Sequence, residues 1–244
     1  MLKILVTGIS GRMGCAVRQA VEANPDTELA ATHDAGQDIS AALEKADAAI
    51  DFSFHGFTPE LLAAAVAQGK PLVIGTTGHT DDERAAIAEA AKRIPIVFAS
   101  NFSVGVNTLF WLTQKATRIL KDYDIEIVEM HHRHKLDAPS GTARTLAEVV
   151  CGETGMDYAA DVAHGRQGLV GERPQRQIGM HSLRGGDVVG DHTVMFATDG
   201  ERVELTHKAS SRMTFASGAV RAAVWLAGKP AALYSMQDVL GFTD

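Results

Sequence analysis

A chain of 244 residues has room for one large domain or two modest ones, and 45% hydrophobic with 22% charged residues is a globular composition, which excludes disordered, collagenous and coiled-coil readings. The formal net charge of −7 argues against a nucleic-acid binder, because displacing phosphate counterions needs a basic footprint. Two cysteines, Cys15 and Cys151, stand far apart in apolar helical contexts with no metal or redox spacing, and are expected as buried free thiols of a reducing compartment.

The chain leads straight into a strand-like run, with no room for the apolar core of a signal peptide. No stretch approaches the roughly 20 apolar residues of a membrane span. A cytoplasmic location without membrane or nucleic-acid partners is expected. Ile4 to Thr7 reads as a buried strand, followed by a glycine loop and a helix ending near Asn24-Pro25. Glu28 to His33 is a second strand and Ala48 to Phe52 a third, with a short helical piece around Ala41 to Leu43 between them. Pro59 to Gln68 reads as a helix stopped at Gly69, and Leu72 to Gly75 as the fourth strand. Thr80 and Glu83 form a capping-box pattern that opens a helix to Lys92, before a fifth strand at Ile96 to Ala99. Strands alternating with helices at this spacing predict a Rossmann-like, doubly wound parallel sheet.

From about residue 103 the rhythm changes. A helix over Asn107 to Leu120 precedes Asp124 to Glu129, a strand with period-two alternation, and a further helix runs from Thr142 to about Cys151. Residues 161–187, rich in Gly, Arg and Gln, read as an extended loop plus a strand. Val188 to Thr198 and Arg202 to Lys208 are strands joined by a turn at Asp199-Gly200. The expectation is a second α+β domain with a largely antiparallel sheet. An apolar helix from Thr214 to Ala227, ended by Gly228 and Pro230, suits packing on a parallel sheet. The domains are therefore 1–102, completed by 212–244, and 103–211.

The turn Gly8-Ile9-Ser10-Gly11-Arg12-Met13-Gly14 lies between the first strand and first helix, where glycines let backbone amides approach a pyrophosphate. Alone, such a turn is weak evidence, because any strand-to-helix turn can use glycines structurally, though binding is the better of the two readings. Asp34 ends the second strand 20 positions after Gly14, where a carboxylate accepts from ribose hydroxyls, and the two together point to a dinucleotide. Ala35 and Gly36 follow Asp34 with no basic partner for a 2′-phosphate, which favours NADH over NADPH; Arg12 is the cation of the loop. Gly75, Thr76 and Thr77, and Ala99, Ser100, Asn101 and Phe102, end two further strands; they are candidates to line the nicotinamide side or are ordinary turn residues.

The densest chemistry is the run Glu129-Met130-His131-His132-Arg133-His134-Lys135-Leu136-Asp137-Ala138-Pro139-Ser140-Gly141-Thr142. Ser140, Gly141 and Thr142 open a helix whose amides and hydroxyls suit a carboxylate. The histidines and Lys135 beside it suit proton donation in a reduction. Adjacent histidines of an extended chain point to opposite sides and no helical ligand spacing occurs, so no metal site is expected.

The run Glu129 to Ala143 resembles the signature of the 4-hydroxy-tetrahydrodipicolinate (dihydrodipicolinate) reductase family. The glycine turn, Val73 to Gly78, Ala99 to Asn107 and Thr206 to Arg212 resemble further family blocks in the right order, so the likeness spans the chain. The resemblance implies NADH- or NADPH-dependent reduction of a small cyclic dicarboxylate with loss of water, in diaminopimelate and lysine biosynthesis. It implies His131 as proton donor or acceptor, Lys135 as second proton donor, and His132, Gly141 and Thr142 at the substrate, to which the reading of the helix start adds Ser140. It implies Gly8 to Met13, Asp34, Gly75 to Thr77 and Ala99 to Phe102 at the cofactor, and a homotetramer joined through the second domain. Three rivals remain at this level: another two-domain dehydrogenase of an amino acid or semialdehyde, a non-catalytic dinucleotide-sensing regulator, and a zinc hydrolase.

Overall fold

The computed structural model describes residues 1–242, and these divide into two compact units, Met1–Val104 with the segment from Arg212, and Gly105–Ser211. The first is built on β1 (Leu2–Thr7), α1 (Arg12–Ala23), β2 (Thr27–His33), α2 (Ile39–Leu43), β3 (Ala48–Asp51), a 3₁₀ turn (His55–Phe57), α3 (Thr58–Gln68), β4 (Leu72–Ile74), α4 (Asp81–Ala90) and β5 (Ile96–Phe98). Six strands, all parallel, lie in the order β2-β1-β3-β4-β5 and then a two-residue strand, Leu233–Tyr234, from the C-terminal segment. Strands β3 and β4 are buried at every position, as a parallel sheet covered on both faces requires. One face packs on Val17, Ala20 and Val21 of α1; the other on Leu61, Leu62 and Ile87 of α3 and α4. Both arms of the Thr80–Glu83 capping box form, and Gly69 ends α3 in the left-handed region at φ 65°.

The second unit contains α5 (Val104–Ile119), β6 (Asp124–His131), α6 (Gly141–Thr154), α7 (Tyr158–Asp161), β7 (Val162–His164), β8 (Ile178–Arg184), β9 (Gly190–Thr198) and β10 (Glu201–Ala209). Its sheet runs β10-β9-β6-β8-β7. The β10–β9 and β9–β6 ladders are antiparallel, whereas β6–β8 and β8–β7 are parallel, so the sheet is mixed. The parallel half arises because the stretch read as an extended loop plus one strand leads into two, β7 and β8, and β7, at three residues, is too short to print a period. Along β6, Ile125, Ile127, Glu129 and His131 are buried in strict alternation, and α6 packs against β6 and β9 over a core that includes Leu146, Val150, Val194 and Phe196.

The C-terminal segment supplies α8 (Met213–Leu226), which packs on α1, β3, β4 and β5, then β11 (Leu233–Tyr234) and α9 (Met236–Leu240). The small residues of α8 allow close approach: a Cβ on Gly218 would lie 1.8 Å from the Phe102 carbonyl oxygen. Cys15 departs from expectation. It lies on the outer face of α1 and is exposed, its Sγ 3.3 Å from the Ile9 carbonyl oxygen, while Cys151 is buried. No helix among the described residues is long and apolar enough to cross a membrane.

Candidate active site

In the first unit, the carboxyl ends of β1, β2 and β3 meet where the strand order reverses, the position at which doubly wound sheets bind ligands. Gly8 turns the chain at φ 66°, and a Cβ there would lie 2.3 Å from the Phe52 carbonyl oxygen. A Cβ on Gly14 would lie 2.1 Å from the Gly8 carbonyl oxygen, so the turn and α1 can close on one another only with glycine at both positions. Gly11 precedes α1 without a side-chain cap. Ser10, Gly11 and Arg12 are exposed, whereas Ile9 and Met13 pack on the core. The Ser10 amide donates to Asp34 Oδ2 at 3.0 Å, and bonds from Ser10 hold this carboxyl below its ordinary range.

A cavity of about 320 Å³ opens here between Gly8, Ser10, Gly11, Asp34, Phe54 and Phe57. Phe57 stacks on His33 with ring centroids 4.9 Å apart, and Phe54 is 65% exposed. A glycine turn, an uncapped helix start, a carboxylate and an aromatic wall fit the pyrophosphate, ribose and purine of a dinucleotide. His33, Phe54 and Phe57 went unremarked in the sequence; the run Phe52-Ser53-Phe54-His55-Gly56-Phe57 directly after a buried strand was the signal.

Beneath this turn, Asp51 is fully buried and accepts hydrogen bonds from the hydroxyls of Thr7, Ser53 (2.5 Å) and Thr76 (2.5 Å). The Ser53 amide donates to Thr76 Oγ1 at 2.8 Å. One carboxylate thus ties together the ends of β1, β3 and β4. Thr76 is therefore committed to the scaffold, Gly75 lies against the Phe52 ring, and Thr77 is exposed. Ser100 is exposed; Ala99 and Asn101 are half-buried, and Asn101 Oδ1 accepts from the Ser103 amide at 2.8 Å. The Phe102 ring is in the core, edge-on to Phe52 at 5.8 Å, so only its backbone can serve a ligand.

In the second unit the inward alternation of β6 switches from Ile125 and Ile127 to Glu129 and His131, which carries polar groups into the core face at the strand end. His131 is thus the last strand residue and not part of a loop. Its Nδ1 lies 2.6 Å from Glu129 Oε2. Glu129 is fully buried and also accepts from Arg184 Nη1 and Nη2, both at 2.8 Å, and from the Ser140 amide at 3.2 Å. Burial pushes the Glu129 carboxyl up, but bonds from His131, Arg184 and Ser182 outweigh it and bring it down to about 2. Arg184 Nη2 donates also to the Asp137 carbonyl oxygen at 2.7 Å, while Lys135 Nζ donates to both oxygens of the Asp137 carboxylate at 2.8 and 3.0 Å. His131 and Lys135 are in this way joined through one network.

Ser140 is buried; its hydroxyl accepts from the Ala143 amide as the N-cap of α6 and lies 3.0 Å from His192 Nε2. It builds the helix start and does not face solvent. Gly141 is exposed, with no atom within 4 Å of a Cβ position, and Thr142 follows half-buried in the first turn. The His132 amide donates to the Val188 carbonyl at 2.8 Å, and its Nδ1 accepts from the His134 amide at 3.2 Å. His192 is buried, its ring edge-on to His131 at 5.2 Å; burial foremost, then the His131 charge, lowers it to about 3. Its Nδ1 and that of His207, its cross-strand partner, find no hydrogen-bond partner among the described residues. Glu129, Arg184, His192 and His207 were missed from sequence: they join the site through strand register, which a linear reading does not pair. No group of three or more His, Cys, Asp or Glu among the described residues is placed to hold a metal.

Two family models, described as the N-terminus and the C-terminus of dihydrodipicolinate reductase, match residues 2–102 and 105–240. The chain is 68% identical over 245 residues to the 4-hydroxy-tetrahydrodipicolinate reductase of Akkermansia muciniphila, covering 100% of both chains. It is 48% identical to the enzyme of the same name from Anaeromyxobacter dehalogenans, covering 99% of this chain and 98% of the other. In fold it is similar to a dipicolinate-bound dihydrodipicolinate reductase from a Paenisporosarcina species, with a TM-score of 0.77, 23% identity and 98% of each chain covered.

Proposed function

The chain belongs to the dihydrodipicolinate reductase family, and from that premise we propose that it uses a reduced nicotinamide dinucleotide to convert 4-hydroxy-tetrahydrodipicolinate into tetrahydrodipicolinate, with loss of water, on the route to diaminopimelate and lysine. The observation that carries this reading is the single ion network joining His131 and Lys135 beside the start of α6, in a chain that matches the family from end to end.

The cofactor supplies the hydride; the protein supplies everything else. The glycine turn from Gly8 to Met13 takes the pyrophosphate on backbone amides, and Asp34 accepts from the ribose. Gly75 to Thr77 and Ala99 to Phe102 bring backbone and small side chains to the nicotinamide end, with Thr76 and Phe102 acting through the scaffold. Gly141 and Thr142 hold one substrate carboxylate at the start of α6, Ser140 fixes that start, and His132 contacts the substrate. Hydride addition sends an electron pair onto the conjugated C=N system, and His131 Nε2 or Lys135 Nζ delivers the compensating proton; the same pair assists departure of the hydroxyl as water. The surrounding cations favour a dianionic substrate. Assembly of four copies through the second unit, in the cytoplasm, goes with this reading.

NADH is the preferred donor. Asp34 presents a carboxylate where the ribose sits, and Ala35-Gly36-Gln37 offers no cation for a 2′-phosphate. A coupled assay, with the product of the preceding synthase supplied and cofactor oxidation followed, should give a higher kcat/KM with NADH. Ala35→Arg should shift the ratio toward NADPH by about tenfold. Absence of oxidation of either dinucleotide contradicts the activity; a wild-type preference for NADPH contradicts the assignment of Asp34.

A further inference from the structure

We propose that Glu129 is the positioning residue for His131: its buried carboxylate keeps the proton on Nδ1 and so presents Nε2 to the substrate. This rests on the reading of His131 as proton donor, but the geometry stands apart from it. Glu129 is fully buried, and its two oxygens receive His131 Nδ1, both terminal nitrogens of Arg184 and the Ser140 amide. With its lone pairs so occupied, the carboxylate has no capacity left for a ligand. Two of the donors are cationic or become so, hence the group stays ionised at any working pH and acts as acceptor only. An acceptor fixed at 2.6 Å from Nδ1 requires hydrogen on that nitrogen in both the neutral and the charged ring. Nε2 is then the nitrogen that gains and loses the proton, the arrangement by which a carboxylate sets tautomer and orientation in other proton-transferring imidazoles.

On the opposite side of the ring, the backbone beside Nε2 carries no side chain. Gly190 lies against it, and a Cβ at that position would come within 3.0 Å of Nε2. Every other group around the ring suits this role. Arg184 reaches in from β8 behind the carboxylate; His192 from β9 packs edge-on and, being held neutral, neither repels an imidazolium nor competes for its proton. His207 follows from β10, and Lys135 paired with Asp137 lies in the loop that follows β6. A purely structural ion pair between Glu129 and Arg184 would stabilise the sheet without any bearing on the tautomer of His131.

The test is nitrogen-15 NMR of the histidine rings, assigned through His131→Gln, together with the pH profile of kcat/KM. In the wild-type protein above the titration of His131, the Nδ1–H tautomer is expected; finding Nε2–H overturns the proposal without any variant being made. In Glu129→Gln, the ring should become a mixture of tautomers. The alkaline limb of kcat/KM should move down by about one pH unit, because a stabilising negative charge has gone. kcat should fall about 10- to 100-fold while the KM for NADH holds. A Glu129→Gln protein with a lower Tm but the wild-type tautomer and limb marks a structural role only and also overturns the proposal. If His131→Gln turns over normally while the tautomer still follows Glu129, the proton-donor reading fails and the positioning stands; if His131→Gln is dead and the tautomer ignores Glu129, the reverse holds.

Discussion

Among the described residues, each unit of this protein buries one carboxylate completely, and the two are satisfied in opposite ways. Asp51, at the end of β3, accepts from the hydroxyls of Thr7, Ser53 and Thr76. Glu129, near the end of β6, accepts from a guanidinium, an imidazole and one amide. Neutral hydroxyl donors pin three strand ends and the turns they carry, and none of them changes charge. Cationic donors place the second carboxylate in direct contact with a group that titrates. On the roles proposed above, the same chemical device serves as a rivet in the first unit and as a control on proton traffic in the second. Burying a carboxylate is costly in either case unless its lone pairs are filled, and in both cases they are.

The largest effects should come from removing the two groups proposed as proton donors. His131→Gln or Lys135→Ala is expected to lower kcat by about 10²- to 10⁴-fold with little change in NADH affinity by fluorescence titration, since neither residue belongs to the nucleotide half. Full turnover in both variants would dissolve the contrast between the halves. Acid unfolding probes the charged site next. His192 titrates near 3 in the fold against 6.5 as its reference, so the unfolded chain binds the proton first. Its contribution is complete above pH 6.5 and is lost as the pH falls toward 3, a loss of about 2 kcal/mol by pH 5. Glu129, held near 2 against 4.5, adds a second decline between pH 4.5 and 2. Denaturant melts between pH 7 and 4 should show this slope, and His192→Gln should flatten its upper part; equal slopes in the two proteins would count against a neutral buried imidazole.

Asp51→Ala should give the smallest and plainest change. Three hydroxyls lose their acceptor, those of Thr7 and Thr76 in buried positions, at a cost of about 1–3 kcal/mol, and the KM for NADH should rise as the turns loosen. Its pH–rate profile should match the wild type, unlike that of Glu129→Gln. A displaced limb in Asp51→Ala would erase the distinction between rivet and control.

How much of this was legible in the sequence follows from whether the relevant signal is local. The βα rhythm of the first unit, the Thr80–Glu83 capping box and the left-handed Gly69 are written in neighbouring residues, and each forms as expected. Glycines 8 and 14 stood out, and the structure adds the reason: each lies against a backbone oxygen. The strand β11 has two residues and β7 three, below the length at which alternation can be seen. The helix α9 was readable in principle, since Ser235 and Asp238 form a capping box three residues apart. Exposure of Cys15 was misjudged because its helix buries the face of Val17, Ala20 and Val21 and turns Cys15 outward. His131 and Lys135 were visible as a cluster of chemistry. Arg184 and His192 were not, because they reach Glu129, His131 and Ser140 across ladders whose register no single sequence declares. The inward position of Glu129 was implicit in the alternation of β6, and its meaning became plain only with those partners beside it.

The central claim, that this chain carries hydride from a nicotinamide to a cyclic dicarboxylate, is tested most directly by isotope transfer. The protein would be mixed with the synthase product and NADH deuterated at the transferring position of C4, and the tetrahydrodipicolinate formed would be weighed by mass spectrometry. One deuterium per product molecule, matched to one cofactor oxidised, is the predicted result. Product without deuterium, or cofactor left unoxidised while substrate disappears, would contradict it.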